Sequence, residues 1–319
     1  MAPTFDDSKS VTKAPPSYTT ISTSALADSL HHGRSSVFPF LQSKQKRNTA
    51  LTCIRDIVTA PDFTPSSVAP IINACAAALS AADFSELLQK PNIEGHTALY
   101  WAVVNDRREA FSALSGFTPK FSSACSSDLR LACTTASDQA LFVQLNLGYM
   151  NFKDEPIKRC LGCPADDVQV DSGDGLDQNQ FVAHFLIRKF QKRLRTTQSV
   201  DVEFVAAGRI WFLRFYMDLD GKWRIGFGIS DPSHPARPVA SILIEAHRGD
   251  PGCAAPYEGL QFGPSKSVVL APPGHNMHKS KGDVKVLVFW SMTDWPMDDH
   301  TKYVDCDGSL HVKMTMRLN

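Results

Sequence analysis

Apolar residues recur at helical spacing through the first half of the chain. In one segment they lie three or four residues apart, at Val68, Ile71, Ile72, Cys75 and Leu79. The same kind of pattern predicts one or two helices over 35–60, a helix over 66–79 and a short helix over 81–89. We therefore expect the regular structure of residues 23–148 to be helical.

The spacing changes to a strand pattern after Phe181. Ser199–Tyr216 alternates and is rich in Val, Phe, Ile and Trp, and Asp218–Gly221 is a hairpin signal. Further strands are predicted over 223–229, 239–246, 268–271, 284–290 and 310–318. Because no helical pattern separates these segments, they indicate an antiparallel β-sandwich over 181–319.

Two segments have neither pattern. Residues 1–22 are rich in Ser, Thr, Pro and Lys, a composition typical of a disordered tail. Residues 149–180 contain the acidic, glycine-bearing run Asp166–Gly175, which indicates a linker. The expected fold class is therefore α+β and multidomain: a tail, a helical domain over 23–148, an acidic linker and a β-sandwich domain.

Composition narrows the classes of partner and compartment. The chain has 319 residues with 33 basic and 33 acidic side chains, so neither nucleic acid nor an anionic membrane is expected as its main partner. It shows no secretory signal and no apolar stretch long enough for a membrane helix. Its eight cysteines are mostly isolated, which favours reduced thiols and a cytoplasmic or nuclear location.

Residues 92–117 carry the most specific pattern in the chain. Gly95 favours a tight turn, and Thr97 is placed to cap the helix that follows. Two apolar stripes come next, the first formed by Leu99, Ala102 and Val103, and the second by Ala110, Ala113 and Leu114. Two short helices of this kind cannot bury both stripes alone, so neighbouring units must stack on them.

This segment resembles the ankyrin repeat, whose pattern opens with Asp or Asn and continues Gly-x-Thr-Pro-Leu-His-x-Ala. The matching positions are Asn92, Gly95, Thr97, Leu99, Ala102, Glu109 and Leu114. Ala98 replaces the usual Pro, and Tyr100 replaces the His that normally bonds the Thr. Degenerate neighbours over 68–88 and 129–143 would complete a short array. A non-repeat helical bundle is the alternative.

The ankyrin resemblance also implies a binding surface at the loop tip and the inner helix face. The residues implied there are Glu94, His96, Trp101 and Asn105. We expect Trp101 to act as an anchor for a protein partner. Packing of Trp101 against a neighbouring repeat is the competing interpretation.

The second half is weakly similar to the MATH (TRAF-type) β-sandwich. The similarity rests on a Gly208-x-x-Trp211 strand before a turn and another strand, and on the terminal run Asp307–Val312. The resemblance implies binding of short peptides at a sheet edge. Trp211 and Trp223 themselves are expected in the core, because large aromatic residues mostly fill sandwich interiors.

Motifs for catalysis, cofactors and metals are weak. Cys160 and Cys163 have the spacing of zinc ligands but lack a second pair, and His275 with His278 is read as a solvated loop. The basic stretch Arg188–Arg195 is read as a strand end with solvated charges. Because the sequence contains no phosphate-binding loop or hydrolase signature, we assign no catalytic, cofactor or metal residue.

The leading hypothesis is a non-catalytic intracellular adaptor or scaffold that binds proteins through the array and the sandwich. One alternative is a sandwich that binds a small ligand or carbohydrate between its sheets. Another is an enzyme that uses dispersed residues such as Cys253, His247 or Cys306.

Overall fold

The fold is described from a computed structural model that covers residues 39–61, 68–149, 154–171, 179–219, 223–247, 254–274, 284–291 and 303–319. The side chains of residues 39–41, 247, 254–258, 284 and 291 are outside this description. The predicted tail over 1–22, together with His275, His278 and Cys253, also lies outside the described residues.

The first half is helical where it is described. Its helices are α1 (Pro39–Thr59), α2 (Val68–Ala77), α3 (Ala81–Gln89), α4 (Ala98–Val104), α5 (Arg108–Ser115), α6 (Ser123–Ala136) and α7 (Gln139–Gln144). Helix α4 packs between α1 and α6, while α2 packs against α5. The buried apolar residues of these helices form one core, centred on fully buried residues such as Leu99 and Leu129. The predicted helices of this region are confirmed.

Short polar side chains set where three of these helices begin. The hydroxyl oxygens of Ser80, Thr97 and Ser122 each accept a hydrogen bond from the backbone N–H three residues later. Each hydroxyl satisfies a donor that the first helical turn leaves unpaired. The helix starts are therefore encoded locally.

The second half forms two large antiparallel sheets. Its strands are β1 (Asp167–Asp171), β2 (Gln180–Ile187), β3 (Ser199–Ala206), β4 (Arg209–Met217), β5 (Trp223–Ser230), β6 (Pro238–His247), β7 (Ala254–Phe262), β8 (Val269–Leu270), β9 (Val284–Lys285), β10 (Leu287–Ser291) and β11 (Leu310–Leu318). One sheet has the order β1-β2-β11-β6-β7 and the other β10-β5-β4-β3, while β8 and β9 form a short parallel pair. The class is α+β, as expected.

Alternate residues of both sheets point into a shared core. Phe181 and Phe185 of β2 contact the ring of Phe204 in β3, and Trp211 of β4 lies near Phe181. Trp211 is fully buried, and Trp223 is half-buried against the same cluster. The strand period of two therefore explains which side chains fill the space between the sheets.

The opposite face of the four-stranded sheet receives the helices. Helices α6 and α7 pack against β3, and α6 also contacts β4. Val205 and Ile210, which point away from the inter-sheet core, join the core of the helices instead. The helical and β-rich halves thus share buried side chains along one seam.

Part of the predicted linker is regular structure. Residues 154–171 contain the helix α8 (Glu155–Cys160) and strand β1, which pairs with β2 along its whole length. Of the acidic run that suggested a linker, Asp166 is a buried carboxylate, and together with Asp154 it bonds the guanidinium of Arg193, whereas Asp167 and Asp171 are exposed. A carboxylate with a distant partner looks like a solvated one in the sequence.

The reading of the basic stretch 188–195 was wrong in part, although Lys192 and Arg195 are exposed as expected. It contains most of the helix α9 (Phe190–Thr197), and Arg193 is fully buried rather than solvated. The run Ser199–Tyr216 is two strands, separated by a turn in which Ala207 and Gly208 have positive φ values of 47° and 66°. Among the described residues, no helix combines the length and apolarity needed to cross a membrane.

Candidate functional site

The predicted loop tip is a tight hairpin that we call the finger, residues 93–96. Backbone N–H and C=O groups of Ile93 and His96 bond each other in both directions at 3.0 Å. Glu94 and Gly95 form the turn with φ values of 51° and 82°, the combination required by a two-residue hairpin. The side chain of Glu94 is exposed at the tip.

His96 is held at the base of the finger from two directions. Its Nδ1 lies 2.6 Å from Oδ1 of Asp128, and the other carboxylate oxygen accepts the N–H of Thr97 at 2.6 Å. The imidazole also stacks on Tyr100 at a centroid distance of 3.8 Å. Within the described part of the chain, Nε2 of His96 has no hydrogen-bond partner, and the side chain is 29% exposed. The ring is therefore fixed in orientation with one nitrogen accessible.

Trp101 both supports the finger and borders its surface. Its indole N–H donates to the carbonyl of Ile93 at 2.9 Å, and its ring meets His96 and Tyr100 edge to face. The side chain is half-buried and packs on the helical core. Both interpretations of Trp101 from the sequence are therefore compatible with its position.

Asn105 lies at the other end of α4. Its amide nitrogen donates to the carbonyl of Val58 at 2.8 Å, which ties the end of α4 to α1. The residue is exposed, and its amide oxygen faces no described donor. The structure thus places Glu94, His96 and Trp101 together and leaves Asn105 about a helix length away.

The sequence did not reveal two members of this cluster. Tyr100 stands where the ankyrin pattern has a histidine, and its backbone N–H donates to the Thr97 hydroxyl at 3.1 Å, which caps the helix. Asp128 is 32 residues beyond His96 and belongs to α6. The aromatic series His96, Tyr100 and Trp101 could have signalled a stacked cluster. No local signal pointed to Asp128.

A second group of polar residues is buried at the seam between the halves. Arg130 of α6 binds Glu203 of β3 through two bonds, at 3.0 and 3.2 Å. The same guanidinium donates to the carbonyl of Asp231 at 2.9 Å and lies 4.0 Å from the ring centroid of Tyr149. Both charged side chains are 1% exposed. This bidentate pair connects the helices to the sheet.

A third group lies where α8 and α9 meet. Burial favours the protonated form of Asp166, but the guanidinium of Arg193 and the ammonium of Lys158 outweigh it and hold the pKa of Asp166 below its usual range. A cavity of about 270 Å³ beside this group is bordered by Lys158, Asp166, Cys163 and Glu203. Lys158 pairs with Asp166 at 3.0 Å, and Glu203 pairs with Arg130, so these charges beside the cavity are neutralised within the protein.

The cysteine pair takes part in a helix terminus. Cys163 N–H donates to the carbonyl of Lys158, and Gly162 has a φ of 56°, a geometry that ends α8. Cys160 is exposed, while burial raises the pKa of the Cys163 thiol. In the described ranges, no three His, Cys, Asp or Glu side chains are grouped closely enough to hold a metal ion.

A scan against protein-family models matches none of them, and comparison with curated proteins gives no match. The ankyrin and MATH resemblances therefore rest on the residues that carry them.

Proposed function

We propose that the chain is a non-catalytic intracellular adaptor or scaffold that binds a protein partner through the finger and the adjoining face of α4. The observation that carries this proposal is the fixed orientation of His96, which Asp128 and Tyr100 hold with Nε2 accessible. A surface whose side chains are already ordered loses little conformational entropy on binding. Such preorganisation is typical of recognition surfaces.

The chemistry of the finger indicates how a protein would be recognised. Glu94 offers a carboxylate at the tip. Because the Asp128 carboxylate only accepts, the proton of the neutral His96 ring lies on Nδ1, and Nε2 accepts a hydrogen bond from the partner. The half-buried ring of Trp101 supplies apolar surface beside them, and tryptophan is enriched among residues that dominate binding energy. We propose that these three residues contact the partner and that Asn105 contacts it at the edge.

The architecture supports the same proposal. Helix α4 packs against both α1 and α6, and α2 packs against α5, as stacking of the pairs α1–α2, α4–α5 and α6–α7 would require. The first of these pairs differs from the predicted neighbour over 68–88, which spans α2 and α3. Two antiparallel sheets with one shared core are what a MATH-type β-sandwich requires. We propose this pair of modules as the finer description of the fold.

Aromatic packing disfavours the ligand-binding alternative. The space between the sheets is occupied by ring contacts such as Phe181–Trp211, Phe185–Phe204 and Phe227–Trp290 among the described residues. A ligand pocket lined by tryptophans would need this space to be open. We therefore place the binding function on the surface of the helical half.

The test is quantitative affinity purification from the source cell with wild-type chain and matched variants. His96→Ala and Trp101→Ala are expected to reduce recovery of the same partner by about tenfold or more. His184→Ala, which removes an exposed histidine from β2, is the control and should retain the partner. Thermal unfolding of each variant separates lost binding from lost folding. If both finger variants recover every partner at the wild-type level, the proposed site is wrong.

A further inference from the structure

Strand β1 is at the edge of the five-stranded sheet, and its outer side carries no strand in the described part of the chain. The carboxamide of Gln139 marks that side: its nitrogen donates to the Val168 carbonyl at 3.4 Å, and its oxygen accepts the N–H of Val205 at 2.6 Å. Backbone groups of alternate residues in a strand point to the same edge. Val170 therefore also presents its N–H and C=O outward, where the described residues supply no partner.

A groove of about 870 Å³ runs beside this edge, between β1 and the ends of α4 and α7. Its apolar wall includes Val104 and Val143, and Val143 is 41% exposed. The charged residues of its lining are three carboxylates and one guanidinium: Asp106, Asp138, Asp167 and Arg108. Arg108 neutralises Asp106 through a bond of 3.0 Å. Asp138 and Asp167 remain, so the lining of the groove has an acidic balance, that is, a net negative charge.

We propose that this groove binds an extended segment of a partner protein, which adds to β1 as a strand and in which Lys or Arg alternates with Val, Ile or Leu. The outward N–H and C=O of Val170 would pair with an extended backbone, and the Val168 carbonyl would exchange its 3.4 Å bond from Gln139 for one from the added strand. On the outer sheet face, basic side chains of the added strand would lie opposite Asp167 and Asp171. Its apolar side chains would lie on the other face, beside Val170 and Val143.

The acidic balance also argues against a second copy as the occupant. Two β1 strands paired edge to edge would bring Asp167 and Asp171 of both copies together, and like charges across strands are destabilising. The proposed surface uses residues distinct from the finger. Its success or failure is therefore independent of the function proposed above.

The first arm of the test varies the probe. A fluorescein-labelled peptide of about seven alternating Lys and Val residues is titrated with the full chain, and anisotropy is measured. We expect saturable one-to-one binding, about tenfold weaker for a Glu–Val peptide. N-methylation of the peptide residues whose N–H groups face β1 should abolish binding. N-methylation of the intervening residues, whose N–H groups face away from β1, should leave binding unchanged. Absence of binding, or equal binding of all peptides, would overturn the proposal.

The second arm varies the protein. Val170→Pro removes an outward N–H that makes no bond to β2, so binding should weaken about tenfold while far-UV circular dichroism is retained. Asp167→Asn with Asp171→Asn should weaken the Lys–Val peptide, whereas the distant Glu86→Gln control should not. If Val170→Pro does not fold, the results with the aspartate variants and the methylated peptides determine whether the proposal holds. Self-association that competes with the peptide would identify a second copy instead and contradict the proposal.

Discussion

Removal of one partner from the Arg130–Glu203 pair should be among the most destabilising single changes in the chain. Glu203→Ala leaves a guanidinium that is 1% exposed, with backbone carbonyls but no carboxylate to balance its charge. The N–H of Tyr149 also loses its 2.7 Å acceptor. An uncompensated charge of this kind costs roughly 3–5 kcal/mol of unfolding free energy. Arg130→Met combined with Glu203→Leu removes both charges and should recover most of that loss.

Urea unfolding at neutral pH measures this effect. Four of the five tryptophans lie within residues 181–319, so fluorescence mainly reports the β-rich half, while circular dichroism at 222 nm reports the helices. Both signals should shift together because the pair joins α6 to β3. Glu86→Ala, which breaks an exposed ion pair with Lys90, is the matched control and should cause a much smaller loss. The reasoning is refuted if Glu203→Ala costs less than about 1 kcal/mol. It is also refuted if the losses of Arg130→Met and Glu203→Leu, each measured singly, simply add in the double variant.

Three further changes probe other parts of the fold. The pKa of Asp166 lies below its ordinary value, so its ion pairs stabilise the fold at neutral pH, and this stabilisation is lost as the pH falls below about 4. The difference in unfolding free energy between wild type and Asp166→Asn should therefore shrink on acidification, and a constant difference would contradict the assignment. Gly228→Ala would place a Cβ 2.4 Å from the ring of Phe212. This overlap should lower the free energy of unfolding, measured in urea, by roughly 1–3 kcal/mol. Unchanged stability would count against this packing. Burial raises the pKa of the Cys133 thiol to about 12. At pH 8 a thiol reagent should therefore label the exposed Cys160 before Cys133. Equal labelling rates at the two cysteines would contradict the burial of Cys133.

Local patterns predicted most of the regular structure. The spacing of apolar residues placed α2, α3 and the strand β11 within one or two residues of their observed bounds. Gly95 and Thr97 correctly indicated a turn followed by a capped helix. These features depend on interactions within a few residues, which is why a single sequence contains them.

The errors concern residues whose partners are distant in the chain. Arg193 was read as solvated, although it is neutralised by Asp154 and Asp166, which lie 39 and 27 residues before it. The same limit hid Asp128, which orients His96 from a different helix. Buried ion pairs are set by tertiary packing, so charge patterns along a chain do not distinguish them from solvated surface.

Site-specific photo-crosslinking at the tip of the finger tests the central proposal most directly. A benzophenone amino acid replaces Glu94 in the full chain, and the control carries it at Arg55, an exposed position of α1. If the finger binds a protein partner, irradiation in the source cell should link one protein to position 94, and His96→Ala should remove that product. Equal products at both positions, or an unchanged product in His96→Ala, would contradict the proposed function.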